Sequence, residues 1–285
     1  LGFVYALAAY LSWGLVVPVH FRLLGQFTPA YILAERIIWS GLFVGALVLV
    51  WRARLRNPFP LRPRHALLVA SALLIAVNWL LYLQAVKAGH LLDASLGYYI
   101  NPLVSVGLGR LVLGERLRPL QLVAVAIAAS GVGVAVVWAG DLPLISLSLA
   151  LTFALYGLIR KVVGVDPTLG LLAETLILAP FCAAWLWQAP EPFLPPEPRA
   201  LVLLLLTGIT TALPLIWFAA AAERLRLATL GLMQYIAPTC LLILSVLVFG
   251  ERVEPQRIVM LALIWLALVL YGLDAVRTGR AARRP

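Results

Sequence analysis

The sequence predicts an all-α, polytopic membrane protein of ten transmembrane helices built as two inverted five-helix repeats. Three observations lead there. Apolar residues fill 63% of the 285 positions and charged residues 12%, where charged residues make up about a quarter of an average soluble domain. Ten apolar runs follow one another, each near the length of about 20 residues that crosses the hydrocarbon core. The second half also repeats the first. Ala94-Ser95-Leu96-Gly97, Ile100-Asn101-Pro102 and Gly114-Glu115-Arg116 return as Ala228-Thr229-Leu230-Gly231, Ile236-Ala237-Pro238 and Gly250-Glu251-Arg252. The first block is displaced by 134 residues and the other two by 136.

The runs lie at 1–21, 29–51, 65–86, 94–113, 119–139, 142–160, 167–188, 199–222, 228–248 and 255–276. The first lacks the short apolar core and small-residue cleavage site of a secretory signal and is read as a helix; it begins without a methionine, so a few residues are expected to precede it. Thr28-Pro29 opens the second run and Asp166-Pro167 the seventh, with proline in the first helical turn. Gly114 and Gly250 close the fourth and ninth. Each Gly-Glu-Arg motif precedes a proline-led helix and reads as a tight hairpin, the glycine giving a left-handed cap and the acid meeting the N-terminus of the next helix. The organisation expected is a first repeat at 1–140, a second at 141–276 and a basic cytoplasmic tail at 277–285.

The formal charge of +10 sits in loops, where it sets orientation and meets anionic lipid, and is not read as a nucleic-acid surface. With a cytoplasmic N-terminus, fifteen Lys and Arg fall in cytoplasmic segments, Arg160 and Lys161 among them, against five on the opposite side. This bias predicts both termini in the cytoplasm. Cys182 and Cys240 fall within spans and suggest neither disulfide nor metal site, and His20, His65 and His90 are scattered, His20 reading as a helix-end group. No cofactor is expected.

The repeat extends further: Ile32-Leu33-Ala34-Glu35 aligns with Leu171-Leu172-Ala173-Glu174, and Trp13-Gly14-Leu15 with Tyr156-Gly157-Leu158. Because each half holds an odd number of helices, the second copy runs through the bilayer in the opposite sense, an arrangement that supports alternating access around a central site.

In order and spacing the residues resemble the drug/metabolite transporter superfamily, its EamA branch and within it the RarD-like proteins. The resemblance is carried by Trp13-Gly14, Glu35-Arg36-Ile37-Ile38-Trp39-Ser40, Asn78-Trp79-Leu80-Leu81, Ala94-Ser95-Leu96-Gly97-Tyr98 with Ile100-Asn101-Pro102-Leu103, Gly114-Glu115-Arg116, Tyr156-Gly157-Leu158 with Arg160-Lys161, and Arg224-Leu225-Arg226 with Thr229-Leu230-Gly231. It covers nearly the whole chain and departs modestly, Ala237 standing where the first copy has Asn101. It implies a bacterial inner-membrane carrier of ten helices, made of two EamA repeats, that moves small organic solutes without ATP hydrolysis. It names no substrate.

Candidate substrate-binding residues follow from polar and aromatic stripes. Ser95, Tyr98, Asn101 and Ser105 share one face of the fourth helix. Pro102 removes a ladder hydrogen bond and crowds a carbonyl, freeing backbone groups for a solute, and Pro238 does the same in the ninth helix; the alternative is a plain kink satisfied by neighbouring helices. Tyr235 and Thr239 lie one turn apart beside Gln234, Asn78 and Tyr82 share a face of the third helix, and Thr207, Thr211, Pro214 and Trp217 share one of the eighth. Trp13, Trp79, Tyr156 and Trp217 offer apolar surface with a hydrogen-bonding handle, although packing and the interfacial belt are equally ordinary roles.

Glu35 and Glu174 occupy matched positions, each six residues into its span or about 9 Å along the axis. An acid inside the membrane is costly when ionised, so both are candidates for proton coupling or gating, with a structural ion pair the alternative for Glu35. Arg36 points roughly 100° away from Glu35 and is expected to find a partner on another helix or to snorkel.

The function expected is secondary-active transport of a small organic solute, amino-acid-like or amphipathic, as an exporter coupled to or exchanging with protons, in a chain that is not an enzyme. The expected partners are that small molecule and anionic lipid, with a homodimer left open. A non-transporting structural or accessory subunit is the alternative. An intramembrane enzyme would need a nucleophile with its base or a metal cluster, and the chain carries neither an HExxH nor a GxSxG motif.

Overall fold

The computed structural model describes residues 1–50, 63–87, 91–139, 144–247 and 255–281, and every regular element among them is helical. In order these are α1 (Gly2–Leu11), a π-helical segment (Ser12–Val16), α2 (Val17–Leu23), α3 (Pro29–Val50), a 3-10 turn (Pro63–Ala66), α4 (Leu67–Lys87), α5 (Leu91–Leu111) and α6 (Pro119–Ala139). Then follow α7 (Leu144–Val163), α8 (Pro167–Gln188), α9 (Pro198–Arg224), α10 (Leu227–Met233), α11 (Ile236–Leu247) and α12 (Pro255–Ala281). The second Gly-Glu-Arg motif at 250–252, His90 and most of the basic segment after α3 lie outside the described residues, as does the side chain of Ser95.

Among the described residues eight stretches are long and apolar enough to cross a membrane: Gly2–Leu23, Pro29–Val50, Leu67–Ala85, Pro119–Trp138, Leu144–Val163, Pro167–Gln188, Pro198–Arg224 and Leu227–Leu244. Helix α5, whose apolar run is diluted by Tyr98, Asn101, Ser105 and Arg110, is not in this set, and α12 contributes a shorter apolar stretch, Ile258–Asp274.

The ends form where local chemistry dictates. Pro29 and Pro167 begin α3 and α8, and the Asp166 carboxylate accepts from the N–H groups of Thr168 at 2.9 Å and Leu169 at 3.3 Å, satisfying donors the helix cannot. Gly114, with φ of 65°, turns the chain after α5 in a left-handed cap while the Glu115 N–H closes back on the Gly109 carbonyl, six residues earlier, at 2.9 Å. Gly164, φ 61°, turns the chain after α7.

The two helix-breaking prolines behave differently. Pro238 sits in the first turn of α11, just after the helix is interrupted at Gln234 and Tyr235. Pro102, expected to break its helix as well, lies within α5, which runs unbroken through it. The unforeseen irregularity is in the first span, where the Val17 N–H bonds to the Ser12 carbonyl five residues back. Pro18 crowds the carbonyl of Gly14 there, and a π turn accommodates the conflict.

Helix α3 packs on α8 and α9, α4 on α7 and α8, α5 on α7 and α10, α1 on α9, α6 on α12, and the π segment on α11. Two of these crossings depend on glycine. A Cβ at Gly208 would lie 2.6 Å from the Trp39 carbonyl oxygen, and one at Gly14 would lie 2.7 Å from that of Ala237, so only hydrogen at these positions lets the helices approach.

Candidate functional site

Between α3, α4, α8 and α9 lies a narrow pocket of about 10 Å³, room for roughly a single water. Ile37, Ile75, Trp79, Leu171, Leu178 and Leu215 make it apolar, and Ser40, Thr175, Thr211 and Glu174 place polar groups on its wall. Arg36, on α3 one turn before Ser40, reaches two residues of this wall, Thr211 and Trp79, whereas Glu35 is not part of the wall.

Glu174 is buried in a closed network. It accepts from Ser71 Oγ of α4, from the Tyr156 hydroxyl at 3.5 Å and from Arg160 Nη1 at 3.4 Å, both of α7. Arg160 also donates through Nη2 to the Pro167 carbonyl at 3.1 Å, while its Nε is buried without a partner. Arg160 is therefore a buried ion-pair partner inside α7 and not the cytoplasmic loop charge expected from the sequence. Gly170, one turn before Glu174, makes room for it, since a Cβ there would overlap the guanidinium. Ser71, likewise unforeseen, had no sequence signal beyond a lone hydroxyl in an apolar helix.

Glu35 is as buried as Glu174 but open. Its Oε2 accepts from the Trp39 indole N–H at 2.7 Å, one turn along α3; its Oε1 accepts no well-formed hydrogen bond, and the Tyr31 hydroxyl near the carboxyl donates to the Pro192 carbonyl. No ion pair involves Glu35 among the described residues. Arg36 does turn to other helices. Its Nε donates to Thr211 Oγ1 of α9 at 3.1 Å, and its guanidinium carbon stands 3.8 Å from the centroid of the Trp79 ring and 4.9 Å from that of Phe21.

The remaining candidates are distributed more widely. Trp79 lines the pocket and Tyr156 reaches it through Glu174. Tyr82 and Tyr98 pack edge to face, centroids 5.8 Å apart, and both lie within electrostatic reach of Arg36. Asn78 Nδ2 donates to the Leu149 carbonyl at 2.8 Å and Asn101 Nδ2 to the Ala150 carbonyl at 3.0 Å, so these amides tie α4 and α5 to α7 and lie outside the pocket wall. Trp13 joins Tyr10, Phe153 and Phe218 in an aromatic cluster on which Trp217 also packs. The Tyr235 hydroxyl donates to the Tyr99 carbonyl at 3.1 Å, and Thr239 accepts from the Trp265 indole at 3.1 Å while donating to the Tyr235 carbonyl. His20 is held by Thr210 Oγ1 and the Leu203 carbonyl, each at 2.9 Å, as befits a group in the last turn of α2.

At one end of the bundle Glu115 does something the sequence did not foretell. Its carboxylate accepts from the N–H groups of Leu227 at 2.6 Å and Ala228 at 3.0 Å, capping α10 in the other half of the chain and not the following helix α6. The reason is packing: α10 lies against α5, and Gly109 brings the carboxylate close. Beside it Arg118 pairs with Asp274 at 2.9 Å, and Lys161 Nζ donates to the Ala222 carbonyl at 3.0 Å and to that of Leu225.

Residues 1–137 and 142–273 each match the model of the EamA-like transporter family. The chain belongs to the EamA family. It is 43% identical over 293 residues to an uncharacterized transporter of Vibrio cholerae, covering 99% of this chain and 95% of that protein. It is 42% identical to the protein RarD of Escherichia coli, covering 98% of this chain and 96% of RarD, and 39% identical to the uncharacterized transporter YojE of Bacillus subtilis, covering 99% and 97%. A solved crystal structure superposes with a TM-score of 0.75 at 20% identity, covering 96% of this chain and 98% of that one, a likeness of fold alone. This EamA chain is thus a multi-pass membrane protein of a bacterial transporter family.

Proposed function

We propose that the protein is a ten-span, inverted-repeat secondary-active carrier that exports a small organic solute across the bacterial inner membrane by alternating access. In this reading both termini are cytoplasmic, the repeats are 1–140 and 141–276, and protons are the coupling ion. The observation that carries it is the symmetry of helix packing about the pocket. Exchange of the two halves turns the pair α1 with α9 into α7 with α4, the pair α3 with α9 into α8 with α4, and the π segment with α11 into α7 with α5. The pairs α3 with α8, α5 with α10 and α6 with α12 map onto themselves. Two modules related in this way can rock about a shared midpoint, opening it to one side and then the other.

The narrow pocket then belongs to one state of the cycle and widens in others. Glu174 is a buried acid on its wall and Glu35 a second buried acid on the same helix as Ser40 of that wall, and an acid that loses and regains a proton as the pocket changes exposure couples the two fluxes. Flux of labelled amino acids and amphipathic amines in proteoliposomes carrying an imposed pH gradient tests the proposal. Saturable uptake or efflux that follows the gradient is expected; flux indistinguishable from protein-free liposomes for every solute sinks it in favour of a structural subunit.

A further inference from the structure

Arg36 is a cation buried in a membrane helix, 5% exposed, with no carboxylate in ion-pair range among the described residues. Its one hydrogen bond is from Nε to Thr211. Neither Nη group makes one among the described residues, and neither is wholly sealed, each keeping a small accessible surface. We infer that this guanidinium is the docking point for the carboxylate of the transported solute, a small organic anion with an apolar body. The inference rests on the carrier reading and names the substrate class of the same site.

The geometry suits a carboxylate. The Trp79 and Phe21 rings hold the guanidinium through cation–π contact and leave its in-plane N–H fork free, and that fork matches the two oxygens of a carboxylate. The other polar groups nearby are hydroxyls and the His20 imidazole, which Thr210 and the Leu203 carbonyl hold. Tyr82 and Tyr98 lie within electrostatic reach, their rings packed edge to face. Trp79 and Thr211, the two residues that fix Arg36, also form part of the pocket wall, so a solute held there has its apolar part led along Trp79 toward Ile75 and Leu215. The acid on that wall, Glu174, is already matched by Arg160, whereas Glu35 points away and accepts from Trp39. A phosphate would call for more than one cation, which favours a carboxylate.

Thermal unfolding of the purified full chain in detergent with benzoate, phenylacetate, indole-3-acetate, their amides and inorganic phosphate tests this. At least one acid raises the midpoint, its amide and phosphate do not, and Arg36→Gln weakens the response by at least about tenfold, Arg36→Lys by less. No response to any acid, an equal response to the amides, or an undiminished response in Arg36→Gln overturns the inference. Should Arg36→Gln not fold, phenylglyoxal labelling of Arg36 in the unmodified chain, followed by mass spectrometry, takes its place: a bound acid slows labelling, and labelling at the same rate with and without acids overturns the inference. Saturable flux of neutral or cationic solutes without acid binding would leave the carrier reading intact and remove this one; acid binding with no flux of any solute would remove the carrier reading and leave Arg36 a carboxylate site for a ligand that is not transported.

Discussion

Glu35 and Glu174 stand at the same place in the two halves, and their surroundings have diverged. Glu174 is closed off by Ser71, Tyr156 and Arg160, a network that joins α4, α7 and α8. Glu35 has the Trp39 indole and a bare oxygen, and the cation next to it in sequence is held by aromatic rings and a threonine. Buried charge that is fully paired fixes helices in one arrangement, whereas buried charge left open stays free for a ligand or a proton. The comparison teaches that two copies of one family unit need not use their matched acids alike: the second half spends its acid on structure, the first keeps its acid and base without an ion-pair partner among the described residues.

The sharpest way to break this contrast is Arg160→Leu. It strands Glu174 in the bundle, and removing one partner of a buried pair costs about 3–5 kcal/mol. A large fall in the thermal midpoint is expected, with much of it restored in Arg160→Leu/Glu174→Leu; a midpoint equal to the parent's would show that the closed network does not hold the helices. A smaller effect is expected at Gly208→Ala. The new Cβ meets the Trp39 backbone oxygen at 2.6 Å, and overpacking of this kind costs about 1–3 kcal/mol while pushing Trp39 off Glu35. Pairing the midpoint with indole fluorescence checks both halves of that expectation.

Much of the fold was legible because its signals are local. Run length, Pro29, Asp166-Pro167 and Gly114 mark helix ends through their own backbone chemistry, and the helices begin and end there. Pro102 was misleading since a proline removes one hydrogen bond in any helix, and whether the helix then breaks depends on neighbours that sequence does not show. The Glu174 network was half visible: the acid stood out, but Arg160 looked like a loop charge. Its one sequence trace is Gly170, one turn before Glu174 on the same helix face, a gap of the size a guanidinium fills. The Glu115 cap on α10 left no such trace, because it spans 112 residues and depends on how the halves dock.

That cap offers a milder test of how the halves hold each other. Glu115→Ala removes two hydrogen bonds at a helix N-terminus, a loss of about 1 kcal/mol. If the halves separate at this end during the cycle, the weaker contact also shifts the population toward the state open there, read as faster alkylation of a cysteine placed at Gly109 in the Glu115→Ala background. An unchanged rate would mean that the contact persists throughout.

Glu35→Gln disturbs the fold least and bears on the contrast most directly. The amide keeps an acceptor for the Trp39 indole, and no ion pair among the described residues is lost, so stability should stay within about 1 kcal/mol of the parent. An open acid that carries the coupling proton cannot be replaced by an amide, which never ionises. Flux in the variant should therefore ignore an imposed pH gradient while solute exchange between loaded compartments continues. The same substitution at Glu174 should instead lower the thermal midpoint, because it takes the charge from Arg160. Identical behaviour of the two variants would mean that the halves share one role for their acids, and the difference in their surroundings would then have no consequence for transport.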